Sequence, residues 1–187
     1  MNNSPPVATR RHSKHLLAWF LGWFFRFLYG PFSWAYDFVA WIVSLGQWKV
    51  WVHSVIPYLH GSFILELGHG PGHLQVALNQ AGKSPIGLDL SRQMSSQARR
   101  RLRRFSLAPR LVRARSQQLP FASNSLPQIV STFPSDYIAD DQTLAEMYRV
   151  LVPGGSATIL LYAWITGMNS LEKLAAWLFR STGESPE

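Results

Sequence analysis

The sequence predicts an α/β fold, a doubly wound and mostly parallel sheet preceded by an N-terminal helical segment. Three observations carry this. From Ser62 onward, short apolar runs alternate with stretches of helical periodicity, and strands that alternate with helices pair in parallel through right-handed crossovers. The run "FILEL" passes directly into "GHGPG", which places Gly68, Gly70 and Gly72 within five residues; such a loop marks a strand that turns sharply into a helix. Asp89 closes the second apolar run, 21 residues after Gly68, at the carboxyl end of a strand, where ligands of such sheets bind.

The elements follow in order. "FILEL" reads as a buried strand and "GHLQVALNQAG" as a helix ended by Gly82, with His73 on its first turn. "PIGLDL" is a second strand, and "SRQMSSQARRRLRRF" a helix with Ser91 as its N-cap. "RLVRA" is a weak third strand and "PQIVSTF" a fourth. "DDQTLAEMYRVL" is a helix that starts at Asp140 or Asp141 and is stopped by Pro153-Gly154-Gly155. "ATILLY" is a fifth strand, and "SLEKLAAWLF" (Ser170 to Phe179) a last helix. Together these define a domain over residues 62–187.

Upstream, residues 1–15 read as a disordered basic tail. Residues 16–61 hold six of the eight tryptophans, Trp19 to Trp51. The first apolar run ends at Arg26, short of the ~20 residues that a spanning helix needs. A signal peptide would show a small-residue cleavage site, which is missing. Two readings stay open: an aromatic helical cap on the domain, or a segment lying in a membrane interface.

At 47% hydrophobic and 15% charged, the 187-residue chain is too apolar to be disordered throughout. It has no cysteine, which excludes disulfides, thiol nucleophiles and thiolate-bound metals and fits a reducing, cytoplasmic compartment. The net charge of +8 gathers in "RRHSKH" and in Ala98 to Arg115. Nucleic acid is not an expected partner, because no recognition motif accompanies these arginines. They read as a solvated helix face, with anionic lipid as the sharper alternative.

The spacing of the glycine loop excludes one cofactor class and departs from the fingerprint of a second. A P-loop requires GxxxxGK[ST], and no such lysine follows Gly72. A dinucleotide fingerprint requires G-x-G-x-x-G, whereas His73 occupies its third glycine position. Asp89 suits any cofactor with a ribose, since one carboxylate can accept both hydroxyl hydrogen bonds.

"ILELGHGPG" followed by "GLDLS" resembles the class I S-adenosylmethionine-dependent methyltransferases, especially their broad type 11 methyltransferase-domain group. The likeness extends to "QLPFASNSLPQIVSTF" and "EMYRVLVPGG", covering roughly Ser62 to Tyr162. "YDFVAWIVSLGQWKVW" is more weakly similar to the lead-in of the ubiquinone/menaquinone C-methyltransferases. The resemblance implies a Rossmann-like methyltransferase fold with S-adenosyl-L-methionine as cofactor. Gly68, His69, Gly70 and Gly72 would line its methionine and ribose portion, with Glu66 supporting the loop amides and the cofactor's amino group. Asp89 would hold the ribose, and Leu90 and Met94 would pack on adenine. Ser116 and Gln117 would flank the adenine edge, Thr132 and Phe133 would face cofactor and substrate, and Tyr36 would close over the methionine end.

The sequence departs from the family in three places. Arg115 occupies an adenine-edge position often held by Asp, so Gln117 or backbone must accept the amino hydrogens. Pro127 and Gln128 replace the usual Phe-Asp pair. Only 25 residues follow Tyr162, so the last two of the family's seven strands are expected to be missing, through C-terminal truncation or, as the alternative, because a complementary second chain supplies them.

Methyl transfer from a sulfonium asks the protein mainly to position and desolvate. Asp136 and Tyr137 are candidate bases after the fourth strand, although Asp in a loop is more often a local cap. No histidine spacing suggests a metal. The expected substrate is small or lipophilic, with peripheral contact at the inner face of the membrane as a possible route to it. A non-catalytic binding protein and an NAD-dependent oxidoreductase are the alternatives.

Overall fold

A computed structural model describes residues 41 and 44–163 of the chain. The basic tail, Tyr36 and the helix expected at Ser170–Phe179 lie outside the described residues. The order of elements is α1 (Trp48–His53), β1 (Phe63–Leu67), α2 (His73–Gln80), β2 (Ser84–Leu88), α3 (Arg92–Arg104), β3 (Leu111–Val112), β4 (Leu126–Thr132), α4 (Asp141–Val150) and β5 (Leu151–Leu160), with 3-10 turns at Ile56–Tyr58 and Asp136–Ala139. The five strands form one sheet in the order β3-β2-β1-β4-β5, and every pairing is parallel. The doubly wound parallel sheet is therefore present. Its order reverses between β1 and β4, and the glycine loop leaves the sheet at that point.

Alternation along β1 divides the core. Ile64 joins Val52, Val55, Leu59, Leu74, Leu78 and Val130 on one face. Leu65 and Leu67 join Leu88, Leu126, Ile129, Met147 and Val150 on the other. Both faces are covered, as an all-parallel sheet requires, and each fully buried Leu or Ile contributes about 1.5–3 kcal/mol. The stretch from α1 to Leu59 packs directly on the sheet. Trp48 stacks on Phe133 with ring centroids 4.6 Å apart, and Lys83 Nζ donates to Leu59 O (2.9 Å) and Gly61 O (2.7 Å) at the entry to β1.

Helix starts follow their caps. Ser91 Oγ accepts from Met94 N at 3.2 Å, and Asp140 Oδ1 accepts from Gln142 N at 2.8 Å. One boundary differs from expectation. The helix of "DDQTLAEMYRVL" ends at Val150, and β5 begins at once with Leu151 opposite Leu126. Pro153-Gly154-Gly155 lies inside β5, where the register slips between Leu126 and Gln128. Gly154, at φ +78°, makes an irregularity in a strand and does not stop the helix.

Gly72 explains a close helix contact. It is left-handed at φ +84°, and a Cβ there would lie 2.8 Å from the Ala98 Cβ on α3. Gly82 has a similar φ of +73° but open space around it. Gly72→Ala is expected to lower stability by about 1–3 kcal/mol, read as a reduced urea midpoint. Gly82→Ala should lose only the backbone part, about 1 kcal/mol. Equal losses at both positions would show that the contact with Ala98 contributes nothing.

Candidate functional site

The carboxyl end of β2 holds the glycine loop by backbone and side chain together. Leu88 O accepts from Gly68 N (2.8 Å) and His69 N (3.2 Å). Asp89 Oδ2 accepts from Gly70 N at 2.9 Å, and Asp89 Oδ1 from Ser91 N at 2.7 Å. Each Asp89 oxygen thus spends one acceptor site on backbone and keeps another. Beside it, the Leu90 side chain is 53% exposed. Gly70, at φ +50°, has no atom within 4 Å of where a Cβ would stand.

Beneath the loop lies a buried polar layer. Glu66 is fully enclosed and accepts from Gln75 Nε2 at 2.7 Å. Burial pushes its carboxyl up to about 8, with the Gln75 bond opposing and the Asp89 charge adding to the rise. The expectation that Glu66 receives loop amides is corrected, because those amides go to Leu88 O and Asp89. His69 is also turned inward. Its Nδ1 lies 2.7 Å from Gly70 O, and its ring packs where a Cβ on Gly87 would stand. Burial lowers its pKa against the opposing pull of Asp89, so the ring is neutral and its Nδ1 proton points at that carbonyl.

Several other expected contacts resolve differently. Met94 is 1% exposed and belongs with Ala98 and Leu102 to the inward stripe of α3; helical spacing places it in the core, not on an open face. Gly72 faces α3, as described above. Phe133 adopts φ +49° and stacks on Trp48, with Trp51 at 6.2 Å, so its ring serves the packing of α1. Ser116 is buried and accepts from Thr143 Oγ1 at 3.0 Å. Gln117 donates to Asp140 Oδ2 at 2.9 Å and receives Ser116 Oγ at 3.2 Å. Thr132 is half-buried at the end of β4, paired with Leu160. The arginine helix is not wholly solvated, since Arg101 Nη1 donates to Pro71 O in the glycine loop.

Of the two candidate bases, Asp136 is exposed at the start of its turn. Tyr137 Oη reaches Leu67 O at 3.1 Å, as does Ser131 Oγ at 2.7 Å. Tyr137 Oη also occupies the space where a Cβ on Gly68 would stand, so this hydroxyl covers the open side of Gly68. A second cluster went unread in the sequence. Arg149 donates to Leu119 O (3.0 Å) and Phe121 O (2.9 Å) and pairs with Glu146 at 2.6 Å, while Glu146 Oε2 accepts from Leu119 N at 2.7 Å. It staples the "LPF" segment to α4, and the Glu-x-x-Arg spacing on one helix face was its signal. Among the described residues no group of three His, Cys, Asp or Glu could hold a metal, and no helix is long and apolar enough to cross a membrane.

One end of the site combines hydrogen-bond acceptors with an exposed apolar side chain. Asp89 offers free acceptor capacity, Gly70 leaves the backbone open, and Leu90 supplies exposed apolar surface. At the other end Tyr137 covers Gly68.

Residues 64–155 match the family model described as a methyltransferase domain. This domain is that of a class I S-adenosylmethionine-dependent methyltransferase. It is 32% identical over 139 residues to the ubiquinone/menaquinone biosynthesis C-methyltransferase of Geotalea daltonii, covering 68% of this chain and 58% of that protein. It is 34% identical to the demethylmenaquinone methyltransferase of Lactobacillus johnsonii, covering 67% and 55%. The chain therefore spans little more than half the length of these relatives. Among solved structures, a Pyrococcus horikoshii protein superposes with a TM-score of 0.57 at 18% identity, covering 73% of this chain and 61% of that one. Geranyl diphosphate C-methyltransferase from Streptomyces coelicolor superposes with a TM-score of 0.55 at 18% identity, covering 59% and 44%. At these identities the structures establish the fold alone.

Glu66 gives the site a pH signature. Its folded pKa of about 8 exceeds the ordinary carboxyl value, so the folded state binds the extra proton between the two. This contribution to stability is complete below the unfolded pKa and is lost as pH rises through the folded one. The urea midpoint should fall between about pH 5 and pH 9, and Glu66→Gln should flatten the fall. An equal slope in the variant would remove Glu66 as its source.

Proposed function

We propose that this chain transfers a methyl group from S-adenosylmethionine to a small, lipophilic acceptor, with a quinone-type ring carbon as the leading acceptor. The observation that carries the reading is the Asp89 carboxylate at the carboxyl end of β2, held by two backbone amides with acceptor capacity remaining. The names of the relatives support the ring-carbon acceptor.

Asp89 would hold the ribose hydroxyls and Leu90 one face of the adenine. The free side of Gly70 would let the ligand approach the backbone closely. When bound, S-adenosylmethionine would supply an electrophilic methyl group that an acceptor atom takes in line, the C–S bond breaking so that S-adenosylhomocysteine leaves and the acceptor giving up its proton. The residues after β4 contribute position and exclusion of water. Thr132 ends the strand next to the loop, Phe133 anchors the covering α1, and Tyr137 must release Gly68 for a ligand to reach that backbone. Buried, neutral Glu66 and His69 keep added charge away from the underside of the loop. Peripheral membrane contact through residues 16–61 belongs to the same reading, supported by their aromatic composition and by an acceptor class that partitions into lipid.

Calorimetry with S-adenosylhomocysteine and, separately, NADH tests this. The homocysteine product should bind and NADH should not, and Asp89→Ala should weaken binding about ten- to hundredfold. A protein blind to the product, or an Asp89→Ala variant equal to the parent, would overturn the reading.

A further inference from the structure

A second concave surface lies beside the loop site, on the outer side of α3. Arg92, Ser95, Ser96, Arg99 and Arg113 line a hollow of about 360 Å³. Three of the five are guanidinium groups, and no carboxylate is among them. Arg92, Ser95, Ser96 and Arg99 fall at i, i+3, i+4 and i+7, one face of a helix, and Arg113 arrives from just beyond β3. Arg113 Nε donates to Leu90 O at 3.0 Å, which fixes the stem of that side chain and leaves its two terminal nitrogens as donors.

The arrangement works against the helix that carries it. Cations are favourable at a helix C-terminus and unfavourable at its N-terminus. Arg101, Arg103 and Arg104 in the last turn of α3 obey this, whereas Arg92 sits in a first turn that has no acidic residue; the carboxylate that precedes the helix, Asp89, is engaged by Ser91 N and Gly70 N. Arg99 and Arg113 add like charge around the same hollow. A local electrostatic conflict of this kind is expected where function sets the sequence, and an anion in the hollow would remove it. Planar guanidinium forks match the oxygens of phosphate closely.

We infer that the hollow bounded by Arg92, Arg99 and Arg113 is a phosphate-binding site, taking either the phosphate of a lipid headgroup or that of a soluble molecule. It adjoins the loop site through Arg113 on Leu90 O but shares no lining residue with it, and it requires no methyl donor, so its test stands apart from the methyl-transfer reading.

The test uses inorganic phosphate, titrated by calorimetry against the full chain at constant ionic strength with chloride as the reference anion. Flotation with phosphatidic acid vesicles, and with phosphatidylcholine vesicles as the control, runs in parallel. The parent should respond to one arm at least. R92Q/R99Q should weaken that response about tenfold or more, with each single variant intermediate. R103Q/R104Q removes the same charge from outside the hollow and should behave as the parent. Circular dichroism melts establish that each variant is folded. Capture by phosphatidic acid vesicles alone assigns a lipid headgroup, and a response to inorganic phosphate alone assigns a soluble one. No response in either arm, or equal weakening in R103Q/R104Q, would overturn the inference.

Discussion

The carboxyl end of β2 is the point on which the site depends. A loop with three left-handed glycines has little intrinsic preference for one shape. Here two consecutive amides are satisfied by Leu88 O, the next glycine amide by Asp89 Oδ2, and the start of α3 by Asp89 Oδ1. One dipeptide therefore sets the loop of the first strand and the entry of the second crossover helix. Strand pairing between β1 and β2 runs in register from Phe63 to Leu67, so the dipeptide is delivered to the loop by the sheet itself.

The underside of the loop shows what this shape costs. Glu66 and His69 are both ionisable and both buried, and burial moves each toward its neutral form. Neutral groups that hydrogen-bond to Gln75 and Gly70 hold the loop without placing net charge under it. The layer is not fully satisfied, since Gln75 Oε1 is buried without a partner; a buried polar network with one open acceptor is less stable than a complete one.

Much of the fold was legible because its signals are local. Alternating apolar runs gave the strands, Ser91 and Asp140 capped the helices as their side chains predict, and Asp89 was placed by its distance from the loop. Side-chain direction was less legible. Met94 and Gly72 follow the loop in sequence as ligand contacts would, yet helical period turns Met94 inward and close approach to Ala98 claims Gly72. Phe133 lies at the end of β4, but its left-handed backbone aims the ring at Trp48. A motif orders residues along the chain; which face each one presents is decided by elements far away in sequence. The staple of Glu146 and Arg149 on Leu119 and Phe121 is of the same kind, since its meaning appears only once α4 and the "LPF" segment are side by side.

Tyr137 binds this picture together thermodynamically. Its hydroxyl and that of Ser131 converge on Leu67 O, the carbonyl that immediately precedes Gly68 in the chain, while the same hydroxyl covers the bare side of Gly68. Each hydroxyl has one proton to give, and Leu67 O is the acceptor on which both converge. A ligand that uses the backbone at Gly68 must compete with Tyr137, and its apparent affinity is its intrinsic affinity reduced by the fraction of molecules in which the ring stands aside. Because Tyr137 belongs to the 3-10 turn that leads through Asp140 into α4, any displacement of its ring would be felt along the chain at the start of that helix.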